Sequence, residues 1–208
     1  LIALSDSEPL FKDVLQYRFD KGEDLKGMSM GNLLLTAMTK VEGSLSKGIK
    51  HMSEILRIHG RIIPSTEKNT HVCAELEDGS IVEEELNVRA PNKSKIKKIF
   101  LKDEDADATK DAINAVKKAD LIVIGPGSLY TSVLVHFLLP GLRKAMMETK
   151  AKRVFVSNMI TQAGQTDGYS ASDHVNEASG YCGGLDYVLL HKDPIPKEIL
   201  KEYEKEGG

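Results

Sequence analysis

The sequence predicts an α/β protein built on a Rossmann-like parallel sheet with helices on both faces, and three observations carry that prediction. In the second half, unbroken apolar runs such as Leu121 to Ile124 alternate with segments of helical period, the order expected of covered parallel strands. Between Val72 and Glu83 the period is two, and Asp78-Gly79 sits in the middle as a hairpin turn. The first 58 residues keep a helical period.

Each element follows in turn. Ser7-Glu8-Pro9 opens a first amphipathic helix through Leu10, Phe11, Val14 and Leu15, which should end before Lys21-Gly22. A second begins near Gly31, and its run Leu33, Leu34, Leu35, Ala37 and Met38 is apolar all round, the mark of a core helix. Ile49, Met52, Ile55 and Leu56 give a third helix one apolar face. After the hairpin, Ile96 to Leu101 reads as a strand whose lysines form a solvated face. From there the order is a helix over 108–118, the strand Leu121 to Ile124, a helix opened by Pro140 and the strand Arg153 to Ser157. A short helix from Ser170, the strand Tyr187 to Leu190 and a charged helix over 196–206 complete it. Residues 1–60 thus form a helical segment, 61–106 a hairpin and strand, and 107–208 the Rossmann-like portion, all within one domain.

Composition removes several function classes. Lys and Arg number 28 against 31 Asp and Glu, so no excess of positive charge argues for nucleic acid. No apolar run reaches the roughly 18 to 20 residues that a bilayer requires, so no membrane role is expected. Cys73 and Cys182 form neither a disulfide framework nor a C-x-x-C or Cys/His spacing that suggests zinc, and a reducing, cytoplasmic setting is expected. The chain opens on Leu1-Ile2-Ala3-Leu4 and closes on Gly207-Gly208 just after a helical pattern, which reads as a fragment extending both ways.

In an open parallel sheet, ligands bind beyond the carboxyl ends of the strands. Two loops lie there: Gly125 to Ser132, and Asn158 to Asp173, "NMITQAGQTDGYSASD". In the first, Gly125 and Gly127 permit close backbone approach, Pro126 stiffens the turn, and Ser128 and Thr131 offer hydroxyls, an arrangement able to wrap a phosphate. The plainer reading is a tight strand-to-helix turn with Ser128 as a helix cap. The second loop gathers Asn158, Thr161, Gln162, Gln165, Thr166 and Asp167, uncharged donors and acceptors suited to a sugar, a nucleobase or a phosphate ester. Asp167 and Asp173 leave room for a magnesium ion carried on a nucleotide's phosphates, although Asp173 is equally placed to cap its helix. Among the histidines, which show no ligand spacing, His174 is kept as an acid-base candidate.

At these residues the chain resembles the gluconeogenesis factor family, a branch of the CofD-like superfamily. The resemblance is carried by "LIALSD", "GMSMGNLLLTAMT", "AELEDGSIV", "ADLIVIGPGSLYTS", "LPGL", "SNMITQAGQTDGYSASDH" and "KEYEKEG", in that order. It implies a cleft for a nucleotide-type ligand, a UDP-sugar such as UDP-N-acetylglucosamine or an NAD-like dinucleotide, with no cofactor required. It also implies a regulator linking carbon supply to cell-wall precursor synthesis and cell shape, working as a homodimer and with room for a regulatory protein partner. The related branch, an alternative for this chain, transfers a phospholactyl group to a deazaflavin precursor. Carried over by motif, the ligand contacts are Asn32, Gly125, Gly127, Ser128, Tyr130, Thr131, Asn158, Gln162, Thr166, Asp167 and Tyr203, and no catalytic residue is assigned. Two departures stand out. The family's opening strand, its glycine-rich turn and an acidic loop would all precede Leu1, and Met28 stands where members commonly have His.

Overall fold

In the computed structural model, which describes residues 1–6 and 9–205, local capping decides where the N-terminal helices begin and end. The predicted opening residues Ser7 and Glu8 lie outside the described residues, and so does Glu206. Helix α1 spans Pro9–Gln16, α2 Met30–Glu42 and α3 Leu45–Ile55. The Ser29 hydroxyl accepts from the Asn32 amide to start α2, and Gly43 ends it in the left-handed region at φ 76°. The Ser44 hydroxyl starts α3, and the two Glu67 oxygens accept from the Leu45 and Ser46 amides, placing a negative charge at the positive end of that helix. Gly31 is required, because a Cβ there would stand 2.9 Å from the Leu15 carbonyl oxygen.

These helices belong to a first compact unit, residues 1–67, and the rest of the chain forms a second, residues 68–208. The core of the first unit is Leu15, Met52 and Leu56, with Leu34 and Met38 packed against it. Two expectations are corrected here. The second helix is not a core helix, since none of its residues is buried, and Ile55 of the third is exposed rather than on the apolar face. A unit of this size has too little chain to surround a helix on every side, so an all-round apolar sequence keeps part of its surface in water.

The second unit holds two three-stranded sheets. Strands β1 (Val72–Leu76), β2 (Ile81–Glu83) and β3 (Ile96–Leu101) form an antiparallel sheet in the order β2-β1-β3. The Asp78 carboxylate accepts from the Ser80 amide and hydroxyl and sets the hairpin turn. Val72, Ala74 and Leu76 point to the core while the alternate residues face away. A short helix that the periodicity does not reveal, α4 (Glu85–Arg89), follows β2. The lysines of β3 are exposed as predicted, and Lys97 and Lys98 both reach the Glu75 carboxylate, at 2.7 and 2.9 Å.

The parallel sheet runs β4 (Leu121–Ile124), β5 (Lys152–Val156), β6 (Tyr187–Leu189), in that order. Its helices are α5 (Lys110–Lys118), α6 (Pro140–Glu148) and α7 (Ala171–Cys182), and the chain goes on to α8 (Lys197–Lys205). The α/β fold with a parallel sheet flanked by helices is the one the sequence predicts, with an antiparallel sheet beside it. One core serves both sheets: Ile99 of β3, Ile124 of β4 and Phe155 of β5 pack in it with Tyr130, Leu134 and Phe137. Leu121, Val123, Tyr187 and Leu189 on the parallel strands are more than half exposed.

Candidate functional site

The two polar loops are joined to each other. Asn158, two residues beyond the end of β5, accepts from the Gly127 amide at 3.3 Å and donates its side-chain amide to the Gly127 carbonyl at 2.8 Å. One side chain thus satisfies both backbone groups of the glycine, which fixes the distance between the loops after β4 and β5. Gly125 makes that approach feasible, since a Cβ at this residue, with φ at +79°, would sit 2.9 Å from the Val156 carbonyl oxygen.

Beside this junction lies a cavity of about 820 Å³. Its wall includes Pro126 and Gly127 from the first loop, Asn158 to Ala163 from the second, Arg89 and Pro91 after the hairpin, and Tyr203 of α8. Four of the sequence-predicted residues therefore meet there: Gly127, Asn158, Gln162 and Tyr203. The volume falls in the range of ordinary small-molecule sites, roughly 300 to 1,000 Å³.

The other predicted residues are placed differently. Tyr130 is 1% exposed, and its hydroxyl meets that of Tyr169 at 2.7 Å. Burial, with the Tyr169 hydrogen bond, pushes its phenol far above the ordinary range. Thr131 is buried, and its hydroxyl has no hydrogen-bond partner among the described residues. The Ser128 side chain caps no helix, because the chain enters a π-type turn, Leu129–Val133, followed by a 3-10 turn, Leu134–Leu138. Thr166 is fully buried and its hydroxyl accepts from the Gln162 amide at 2.8 Å, while Asp167 accepts from the Gly164 amide at 2.8 Å. Both hold the second loop in shape from behind the cavity wall. Gln165, at 4% exposure, finds no partner among the described residues for either side-chain polar atom. Asn32 belongs to the first unit, exposed in the opening turn of α2.

Asp173 takes the plainer of its two predicted roles. It forms a capping box with Ser170 at the start of α7, and those hydrogen bonds hold its carboxyl below the ordinary carboxylate range. His174 is 3% exposed, with Nδ1 on the Ser170 carbonyl at 2.9 Å and its ring edge-on to Tyr169. It does not line the cavity.

Sequence reasoning missed the positive charge at the site. Arg89 lines the cavity and pairs with the exposed Glu85 carboxylate at 3.2 Å, an i,i+4 pair of small energy that a phosphate can displace. Behind the loop, the Lys93 ammonium donates to the Gly164 carbonyl, and burial lowers its pKa. The signal was the run Asn87-Val88-Arg89-Ala90-Pro91-Asn92-Lys93, which links the hairpin to β3 and carries both cations. Gly164 is packed onto the same run, so closely that a Cβ would overlap the Ala90 carbonyl. A second cavity, of about 640 Å³, lies along α7 and includes Arg143, Asp173, Glu177 and Tyr181.

The arrangement offers a bed of backbone and amide groups, the hydroxyls of Ser157 and Thr161, one exchangeable guanidinium and an aromatic ring. The family model described as 2-phospho-L-lactate transferase CofD matches residues 1–208, and the chain belongs to the CofD family. Within that family its similar curated relatives are gluconeogenesis factors. It is 42% identical over 208 residues to the gluconeogenesis factor of Halalkalibacterium halodurans, covering 99% of this chain and 64% of that protein. It is 41% identical over 210 residues to that of Bacillus subtilis strain 168, covering 100% of this chain and 66% of that protein. A crystal structure of a UPF0052 family member from Bacillus halodurans superposes with a TM-score of 0.93 at 42% identity, over 99% of this chain and 66% of that one. The chain thus spans 64% of the first relative's length and 66% of the second's.

Proposed function

We propose that this protein is a nucleotide-sugar-binding regulator, similar to the gluconeogenesis factors, whose ligand of the UDP-N-acetylglucosamine type occupies the cavity beside the Asn158–Gly127 junction. The observation that carries this reading is the junction itself, because it turns two strand-end loops into one wall where α/β sheets receive nucleotides. The diphosphate would exchange for Glu85 on Arg89. The sugar and base would meet the backbone of residues 158–163, and Tyr203 offers a ring for the base. Magnesium, where bound, would ride on the phosphates. A cytoplasmic homodimer that links carbon supply to cell-wall precursor synthesis belongs to the same proposal, with a partner protein to receive the signal.

A second reading starts from the family description, which names a 2-phospho-L-lactate transferase: the transfer of a phospholactyl group, with a deazaflavin precursor as the acceptor that the resemblance implies. The two are separated by titrating the full-length protein with UDP-N-acetylglucosamine by calorimetry, with and without magnesium. Saturable heat with no turnover is the expected result. No heat at millimolar ligand, together with product formation from nucleotide-activated phospholactate and deazaflavin acceptor, would replace the regulator with the transferase.

A further inference from the structure

The outward face of the antiparallel sheet carries a second cluster of chemistry, remote in kind from the nucleotide cavity. Along β1 the alternation sends Val72, Ala74 and Leu76 into the core, so Cys73 lies on the opposite face. His71, two residues earlier, shares that face. In the hairpin register Cys73 is paired directly with Glu83 of β2, which places their side chains side by side. One donor atom from each of His71, Cys73 and Glu83 lies within 4.8 Å of the others.

We propose that His71, Cys73 and Glu83 form a binding site for a divalent transition metal of the zinc type. Three features of the cluster argue for an occupant. The His71 Nε2 atom is shielded from water yet has no hydrogen-bond partner among the described residues, its nearest acidic neighbour being Glu83 Oε2 at ion-pair distance, 3.7 Å. An orphaned ring nitrogen of this kind is a cost that a metal bond removes. Cys73 is 0% exposed although it stands outside the core cluster. Finally, Glu83 is split in its duties: Oε1 is held by the Lys102 ammonium and Oε2 is turned toward His71. Ligation through Oε2 leaves the Lys102 pair in place as an outer partner that orients the carboxylate.

The donor set selects the metal. Nitrogen, sulfur and oxygen together suit Zn²⁺ or Co²⁺, whereas Mg²⁺ and Ca²⁺ take oxygen ligands. Bonds of about 2.0 to 2.3 Å in a tetrahedron bring ligand atoms to roughly 3.3 to 3.8 Å from one another. The cluster must therefore contract by about an ångström, which His71 and Glu83 allow, being 40% and 45% exposed at their side chains. Binding replaces the thiol proton of Cys73, which passes to solvent, and the fourth position is left to water or a ligand. In sequence this pattern escapes the usual spacing rules because its third member arrives by strand pairing across Asp78-Gly79.

The test uses the full-length protein, stripped with a chelator and titrated with Co²⁺ as a spectroscopic probe. A sulfur-to-cobalt charge-transfer band, saturating at one equivalent and bleached by Zn²⁺, is expected. Cys73→Ser should abolish the band, and His71→Ala, at a half-exposed position where folding tolerates truncation, should weaken Co²⁺ binding tenfold or more. Circular dichroism of each variant separates loss of the ligand from loss of the fold. No charge-transfer band in the wild type, or a band that survives both substitutions, would overturn the proposal.

Discussion

The loops after β4 and β5 look alike in sequence, each a cluster of small and hydroxyl-bearing residues, yet they do different work. The first spends Tyr130 and Thr131 inside the core and presents to the cavity only Pro126 and Gly127. The second lays a run of backbone, Asn158 to Ala163, along the cavity wall and braces it from behind with Thr166 and Asp167. The difference teaches that a hydroxyl in a strand-end loop is interpretable only once its direction is known. In the first loop the chain goes straight into a π-type turn packed on the core, so its side chains turn inward. In the second, the helix waits until Ala171, which leaves room for an exposed wall.

That contrast can be broken by substitution. The largest effect is expected for Tyr130→Ala, which removes a fully buried ring and should cost about 3 to 5 kcal/mol of stability in chemical denaturation. If Tyr130→Ala instead left stability intact while abolishing nucleotide-sugar binding, the first loop would be a contact surface. Gly164→Ala follows, since its φ of +77° and its approach to the Ala90 carbonyl both oppose a side chain. A loss of about 1 to 3 kcal/mol is expected, together with weakened binding because the wall shifts. A variant that binds normally would show that the wall's position is immaterial.

Asn158→Ala comes next and sharpens the comparison most. It leaves the Gly127 amide and carbonyl without their partners, so about 1 to 2 kcal/mol of stability should go. Affinity for UDP-N-acetylglucosamine should fall tenfold or more, read by calorimetry under conditions where the variant is folded. Ser128→Ala, whose side chain caps no helix, should change neither property by more than about 0.5 kcal/mol. Equal losses in both variants would make the two loops equivalent.

A last effect lies outside both loops, is seen only at acid pH and controls for global stability. Hydrogen bonds from Lys97 and Lys98 lower the Glu75 carboxyl from 4.5 to about 2. A carboxyl lowered in the folded state contributes stability above the unfolded value and loses it as pH falls toward the folded one. Glu75→Gln should therefore flatten the stability profile between pH 4.5 and about 2, measured by thermal melts, without altering binding at neutral pH. An unchanged acid profile would mean that the pair is screened away by solvent.

The fold was legible where a period was clean. Strands β1, β3, β4, β5 and β6 fall where alternation or apolar runs place them, and Asp78-Gly79 marks the hairpin. Two helical features were not legible. The burial of α2 depends on how much chain surrounds it, which local composition does not encode. Helix α4 is five residues long, shorter than the window in which a helical period can be seen. At the site, Gly127, Asn158 and Gln162 could be found because strand ends and polar loops are visible in sequence. Arg89 could not, because the hairpin's return path brings it to the cavity from a distant part of the sequence, well before the first loop. Likewise Cys73 and Glu83 become neighbours only through strand register.

Hydrogen exchange read by mass spectrometry, with and without UDP-N-acetylglucosamine, addresses the shared wall most directly. Added protection at residues 126–128 and 158–163, with 129–134 already slow in the free protein, is the predicted result. Protection that appears instead along α7, beside the second cavity, or that leaves 158–163 unchanged at saturating ligand, would contradict it.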